Sequence, residues 1–121
     1  MSNYFVVENL LTQVEIPKDG SVSMTLHHDE RVKVLLFGLS AGQELSRNST
    51  AVPAILEIVQ GDARVTLDAE TKELSRGSWI FLEASLPHAV YAKTDVVMVR
   101  TMLLLGADAQ KGQGMGTKAN W

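Results

Sequence analysis

The chain lacks cysteine, and this absence excludes several kinds of site at once. A disulfide scaffold, a cysteine-ligated zinc, an iron–sulfur cluster and a thiol nucleophile all need thiols that the 121 residues do not provide. A chain of this length buries roughly 65–70% of its unfolded surface, which supports one hydrophobic core without cross-links. We therefore expect a single domain that is stabilised by packing alone.

Positive charge and long apolar runs are also scarce. The 11 lysines and arginines are scattered among 14 acidic residues, so no basic patch is available to displace counterions from phosphate groups. The longest apolar run, 102–107, is too short to cross a bilayer, and the N-terminus lacks the basic segment of a signal peptide. These features predict a cytoplasmic protein that binds neither nucleic acid nor a membrane.

Short apolar or alternating segments make up most of the chain, and turn residues separate them. This pattern predicts an all-β fold of antiparallel strands arranged as a sandwich or a barrel. The turn at Gly61-Asp62 predicts that the strands on either side of it form a hairpin. The predicted strands cover 4–7, 22–27, 32–39, 54–59, 63–67, 79–82, 89–92 and 96–105.

The chain shows neither an internal repeat nor a composition shift that would mark a second domain. Residues 1–105 are therefore interpreted as one domain. The stretch 106–121 contains four glycines and no apolar period, and we expect it to be a flexible tail.

Several predicted strands are apolar on both faces. In the strand 54–59, Leu56 and Ile58 lie on one face, and Ile55 and Val59 lie on the other. One face fills the interior of a barrel, so the other face needs a second layer. We favour a homodimer as the source of that layer; the alternative is that the chain's own N-terminal segment covers it.

Two glycine-framed motifs resemble those of the cupin family of small jelly-roll barrels. The first runs from Gly42 to Gly61, and its end, Glu57-Ile58-Val59-Gln60-Gly61-Asp62, is similar to the closing strand and turn of the family. The second motif runs from Gly77 to His88, and an apolar strand follows it. The resemblance implies a cupin jelly-roll barrel, which is a double-stranded β-helix.

The sequence departs from the family where the family binds a divalent metal. The two histidines and the glutamate of the first motif correspond to Asn48, Thr50 and Ala54, and the histidine of the second motif corresponds to His88. Because three of the four ligands are replaced, we expect no metal cofactor. His88 is a metal ligand only if a divalent metal such as Fe, Mn, Ni or Zn binds through atypical donors.

The turn before His88 departs from the family as well, because Glu83 and Ser85 replace a proline and a glycine of the second motif. The imidazole of His88 either contacts a ligand or is satisfied by a backbone carbonyl or a hydroxyl, and the sequence leaves both readings open.

The motif positions are expected to face the barrel interior, because side chains two apart on a strand share a face. Apolar walls with a few polar groups are typical of a small-molecule pocket. Arg100, which interrupts an apolar strand, is an anchor for a ligand carboxylate, an ion-pair partner of Glu57 or Glu83, or a residue exposed at the surface of a sheet. The predicted pocket residues are Asn48, Thr50, Ala54, Leu56, His88, Arg100 and Met102.

Three functions are open at this point. We favour a cupin-like protein that binds a small organic molecule in the barrel without the usual metal. The second is a metal-dependent dioxygenase, isomerase or decarboxylase that uses His88 with atypical ligands. The third is a structural or regulatory dimer whose barrel is filled by its own side chains.

Overall fold

The computed structural model describes residues 3–104, apart from the side chains of Arg47 and Asn48. Within this range the chain forms a short 3-10 helix (Leu10–Thr12) and nine strands. The strands are β1 (Ser21–His28), β2 (Val32–Leu39), β3 (Glu44–Asn48), β4 (Ala54–Gln60), β5 (Asp62–Leu67), β6 (Glu70–Ser75), β7 (Trp79–Leu82), β8 (His88–Ala92) and β9 (Val96–Leu103). The predicted end of the last strand at Leu105 and the predicted tail, 106–121, lie outside the described residues.

The strands form two antiparallel sheets. The larger sheet has the order β1-β2-β9-β4-β7, and the smaller sheet has the order β3-β8-β5-β6. Strands that follow one another in sequence are often in different sheets, as in a jelly roll. The prediction of an all-β, antiparallel fold is therefore confirmed. Residues 3–104 contain no helix that could span a bilayer.

The main core lies between the two sheets and follows the two-residue alternation of the strands. In β4, the buried positions Ala54, Leu56 and Ile58 alternate with Ile55 and Glu57, which face the other way. The inward side chains of both sheets form one continuous apolar cluster. Its buried members are Phe37, Leu39, Ala54, Leu56, Ile58, Ala63, Val65, Leu82, Val90, Ala92, Val96 and Met98.

A second, smaller cluster lies on the outer face of the larger sheet. Leu36, Val97 and Val99 are buried there beneath the chain's own N-terminal segment, which contributes Leu10, Val14 and Ile16. This segment supplies part of the second layer that the two-sided strands require. The homodimer that we favoured from the sequence stays a prediction.

Three details of the predicted strands are wrong. The strands around Gly61 do not form a hairpin, because β4 pairs with β7 and β9, whereas β5 pairs with β6 and β8. Residues 4–7 do not form a strand; Tyr4, Phe5 and Val6 are exposed, and their backbone pairs with neither sheet. Strands β3 and β6 were missed because both are polar strands at the edges of the smaller sheet, where few side chains are buried.

Gly61 makes the change of sheet between β4 and β5 possible. Its φ angle is +91°, and a Cβ atom at this position would lie 2.0 Å from the carbonyl oxygen of Asp95. The backbones of Gly61 and Asp95 are therefore so close that no side chain fits on the Cα of residue 61.

We predict that Gly61→Ala lowers the free energy of unfolding by at least about 3 kcal/mol, because a positive φ and a backbone clash act together. Gly42→Ala is the matched control, since Gly42 has the same φ of +91° but open space around its Cα. It should cost only about 1–2 kcal/mol. Urea denaturation followed by circular dichroism measures both variants, and equal losses would contradict the close approach at Gly61.

Candidate functional site

The imidazole of His88 lies between the two sheets at the start of β8. His88 shares the inward face of this strand with Val90 and Ala92, which are part of the main core, and the residue is 2% exposed. Its Nδ1 atom lies 3.0 Å from the carbonyl oxygen of Leu86. Because a carbonyl oxygen only accepts, we assign the ring hydrogen to Nδ1, which donates this bond.

The second ring nitrogen of His88 is the unusual atom. With the hydrogen on Nδ1, Nε2 holds a lone pair. This atom is buried, and it has no hydrogen-bond partner in the part of the chain that the structure describes. A buried acceptor without a donor costs free energy, so it marks a position where a partner is missing.

The loop before β8 fixes the position of the imidazole. Ser85 has a φ of +67°, so its backbone adopts the left-handed conformation that favours glycine, although a serine stands there. Its N–H donates a hydrogen bond of 2.7 Å to the carbonyl of Thr50. The replacement of glycine at this position therefore leaves the tight turn in place, and the turn connects the loop to the segment after β3.

Arg100 is the second polar group on the inward face. It lies on β9 between Leu35 of β2 and Leu56 of β4, and its Cζ atom is 5.0 Å from the centre of the Phe37 ring. Its Nε atom is buried without a hydrogen-bond partner among residues 3–104. Burial lowers the pKa of Arg100, but a guanidinium stays protonated in a protein, so the positive charge is present.

The charge of Arg100 is not neutralised by the described part of the chain. Arg100 forms no ion pair with an acidic side chain of residues 3–104, so the pairing with Glu57 or Glu83 that the sequence allowed is not formed. The inward rows of β2, β4, β8 and β9 contain Lys33, His88 and Arg100 but no aspartate or glutamate. These four rows therefore supply no carboxylate for the charge of Arg100.

The apolar residues of the predicted pocket occupy the walls around these groups. Ala54 and Leu56 are 0% and 1% exposed, and Met102 lies half-buried opposite Ala54 on the neighbouring strand. All three belong to the main core or pack against it. They therefore lie on the inner face of the larger sheet, and their role in a pocket stays a prediction.

Asn48 and Thr50 lie on the side of the smaller sheet. The backbone of Asn48 pairs with His88 across β3 and β8, while the Asn48 side chain lies outside the described part of the structure. Thr50 follows the end of β3, and its hydroxyl donates a hydrogen bond of 2.6 Å to the carbonyl of Val52. Because the hydroxyl hydrogen is used in this bond, Thr50 could only accept a hydrogen bond from a ligand. The role of both residues in a pocket stays a prediction.

The residues at the motif positions do not fit a divalent metal. His88 contributes one nitrogen, Ala54 contributes no donor atom, and Thr50 contributes only a neutral hydroxyl oxygen, which is a weak ligand for a transition metal. Among the described residues, no group of three or more His, Cys, Asp or Glu side chains could hold a metal ion. A firm transition-metal site needs three or four such donors.

Three contributors to this site were not predicted from the sequence. Phe37, below the guanidinium of Arg100, is recognisable from the alternation of β2, where it follows Leu35 on the same face. Lys33 occupies the next position of that row, opposite Met102. The contact with the Leu86 carbonyl could not be predicted from the sequence, because the conformation of the loop, and not the residue type, sets the direction of a backbone oxygen.

We predict that Arg100→Met raises the free energy of unfolding of the ligand-free protein by about 1–2 kcal/mol. Methionine keeps an apolar side chain near Phe37 and removes a partly buried charged group whose buried Nε–H donor has no partner. Arg64→Met is the control, because Arg64 is an exposed arginine paired with Glu73 at 3.0 Å, and its replacement should change stability by less than about 0.5 kcal/mol. Urea denaturation checks both, and a clear loss of stability in Arg100→Met would contradict the unpaired charge.

Comparisons with known proteins identify the family. No protein-family model matches the sequence, and no curated protein matches it. Solved structures do match. A protein of unknown function from Streptococcus pyogenes is 31% identical, with a TM-score of 0.75, over 84% of this chain and 90% of that one. A cupin superfamily protein from Desulfitobacterium hafniense is 25% identical, with a TM-score of 0.75, over 78% of this chain and 87% of that one.

A third structure extends the likeness in fold. An RmlC-like cupin from Desulfovibrio desulfuricans is 24% identical, with a TM-score of 0.71, over 86% of this chain and 97% of that one. These matches agree with the jelly-roll topology and with the two glycine-framed motifs, and they confirm the resemblance found in the sequence. The chain belongs to the cupin superfamily.

Proposed function

We propose that this cupin binds a small organic molecule between its two sheets and that the binding needs no metal. The observation that supports this function is the buried Nε2 atom of His88, a hydrogen-bond acceptor for which the described residues supply no donor. A ligand that donates a hydrogen bond there would remove the cost of that unpaired atom.

The surroundings of His88 support the same function. The inner faces of the sheets consist mostly of apolar side chains such as Leu56 and Met102, and His88 and Arg100 are polar groups among them. Apolar walls with a few polar groups that set orientation are typical of sites for small molecules. The binding itself, the absence of a metal and the loss of an ancestral metal site are our proposals.

A metal-dependent dioxygenase, isomerase or decarboxylase is the second candidate. It would need donors besides His88, and the motif positions Thr50 and Ala54 do not provide them. We therefore place this function second, and the experiments below distinguish it from the first.

The homodimer and the cytoplasmic location also stay proposals. The N-terminal segment covers only part of the outer face of the larger sheet, and Trp79 and Phe81 on the edge strand β7 remain 58% and 44% exposed. A second copy of the chain would remove such side chains from water.

We predict that small organic molecules stabilise the protein in the presence of EDTA. At a ligand concentration about 100 times its dissociation constant, the free energy of unfolding rises by about 2.7 kcal/mol. For a domain of this size this corresponds to an increase of roughly 10 °C in Tm. Thermal denaturation of tag-free protein with a panel of small, mostly apolar compounds measures the effect.

His88→Asn provides the matched variant for this experiment. The asparagine amide takes the position of Nδ1 and keeps the bond to Leu86, but it removes the distal acceptor. It should reduce the ligand-induced increase in Tm, whereas His28→Asn, at an exposed position, should leave it unchanged. Stoichiometric Fe, Mn, Ni or Zn that is lost in His88→Ala, with activity restored on refilling, would instead establish the metal enzyme. No stabilisation by any compound would favour a barrel filled by its own side chains.

We also predict that the combined variant Asn48→His, Thr50→His and Ala54→Glu gains a metal site. With His88 it restores the donor set of the family, and binding of a divalent metal should then raise its Tm. Thermal denaturation with and without Mn²⁺ or Zn²⁺ measures the effect, with the wild-type protein as the control. If metal stabilises neither protein, the assignment of the motif positions is wrong.

A further inference from the structure

The unpaired charge of Arg100 restricts the chemistry of the ligand. Its backbone lies between Leu35 of β2 and Leu56 of β4, its Nε atom is buried without a partner, and no acidic side chain of residues 3–104 pairs with it. A charge held between apolar rows is costly until an anion neutralises it. The part of the chain that the structure describes supplies no such anion, so the ligand is the natural source.

A carboxylate fits this position better than other anions. The planar guanidinium presents a fork of N–H donors that matches the two oxygens of a carboxylate. Phe37 lies below the same guanidinium at 5.0 Å, which limits the directions from which an anion approaches. The apolar side chains around it favour a ligand with one charge over a strongly hydrated dianion such as phosphate.

His88 adds a second requirement. Its Nδ1–H is bound to the carbonyl of Leu86, so the ligand meets Nε2, which accepts a hydrogen bond. The ligand must therefore carry a donor, and this donor is neutral, because a cation would be repelled by Arg100 and Lys33 on the opposite sheet. A hydroxyl group or an amide N–H meets this requirement.

We propose that the ligand is a small organic acid with a carboxylate for Arg100, a hydroxyl or neutral N–H donor for Nε2 of His88, and an apolar skeleton between them. This inference rests on the proposed function and specifies its ligand class. Arg100 lies on the larger sheet and His88 on the smaller one, so the two ends of the ligand contact opposite walls.

Matched sets of compounds test the two requirements separately, with EDTA present throughout. The aromatic set consists of 4-hydroxyphenylacetate, phenylacetate, which lacks the hydroxyl, and 4-hydroxyphenylacetamide, which lacks the charge. The aliphatic set consists of 6-hydroxyhexanoate, hexanoate and 6-hydroxyhexanamide. Isothermal titration calorimetry measures their dissociation constants. We expect a hydroxy acid to bind, its amide to bind at least about tenfold more weakly, and its deoxy acid to bind several-fold more weakly.

Two variants assign each preference to its residue. Arg100→Met should remove the preference for the acid over the amide, and His88→Asn should remove the preference for the hydroxy acid over the deoxy acid. His88→Gln, which places an amide group near the position of Nε2, should restore part of the second preference. Urea denaturation first confirms that each variant is folded.

The outcomes separate this inference from the proposed function. If the amides bind the wild-type protein as tightly as the acids, small-molecule binding stands and the acid class is wrong. If inorganic phosphate binds more tightly than every carboxylate and loses its affinity in Arg100→Met, the ligand class is a phosphorylated compound and our assignment is overturned. If no acid and no amide binds, the inference fails, and the compound panel described above decides whether the proposed function fails with it.

Discussion

The structure depends on the burial of two apolar sheet faces against each other. Leu56 and Met98 from the larger sheet and Val65 and Val90 from the smaller one are almost completely removed from water. Each such side chain contributes about 1.5–3 kcal/mol relative to an exposed position, and no disulfide adds to the sum. The same packing makes every polar atom between the sheets costly unless it has a partner. The site is defined by this constraint.

Two groups in this interior violate the constraint, and they do so in complementary ways. His88 presents a buried acceptor, and Arg100 presents a buried Nε–H donor and a positive charge. Both lower the stability of the ligand-free protein, which is the usual relation between a binding site and the fold that carries it. The two groups do not compensate for one another, because a neutral imidazole cannot neutralise a guanidinium. A molecule with an anionic end and a hydrogen-bond donor would satisfy both.

The outer face of the larger sheet also carries apolar side chains that are favourably removed from water, but only part of this face is covered. Leu10, Val14 and Ile16 from the chain's own N-terminal segment cover Val97 and Val99. Trp79 and Phe81, which lie at the edge strand beyond this cover, keep much of their surface exposed. The chain thus covers part of the outer face with its own N-terminal segment, and the remaining part is available to a second protein chain.

The sequence by itself determined the class of fold, because alternation and turn residues are local properties. It also determined which positions correspond to the two cupin motifs. It placed Ala54 and Leu56 on one face of their strand, and Arg100 and Met102 on one face of theirs, since strand periodicity fixes the faces of a single strand without tertiary information. Only the tertiary structure decided which strands pair. The sequence around Gly61 predicts a hairpin turn, but the chain passes there from the larger sheet to the smaller one. The Cα of Gly61 packs against the backbone of Asp95 at this crossing. The structure also decided that Arg100 has no acidic partner and that the Leu86 carbonyl holds His88, because such contacts join residues whose proximity is set by the loops and by the pairing of the strands.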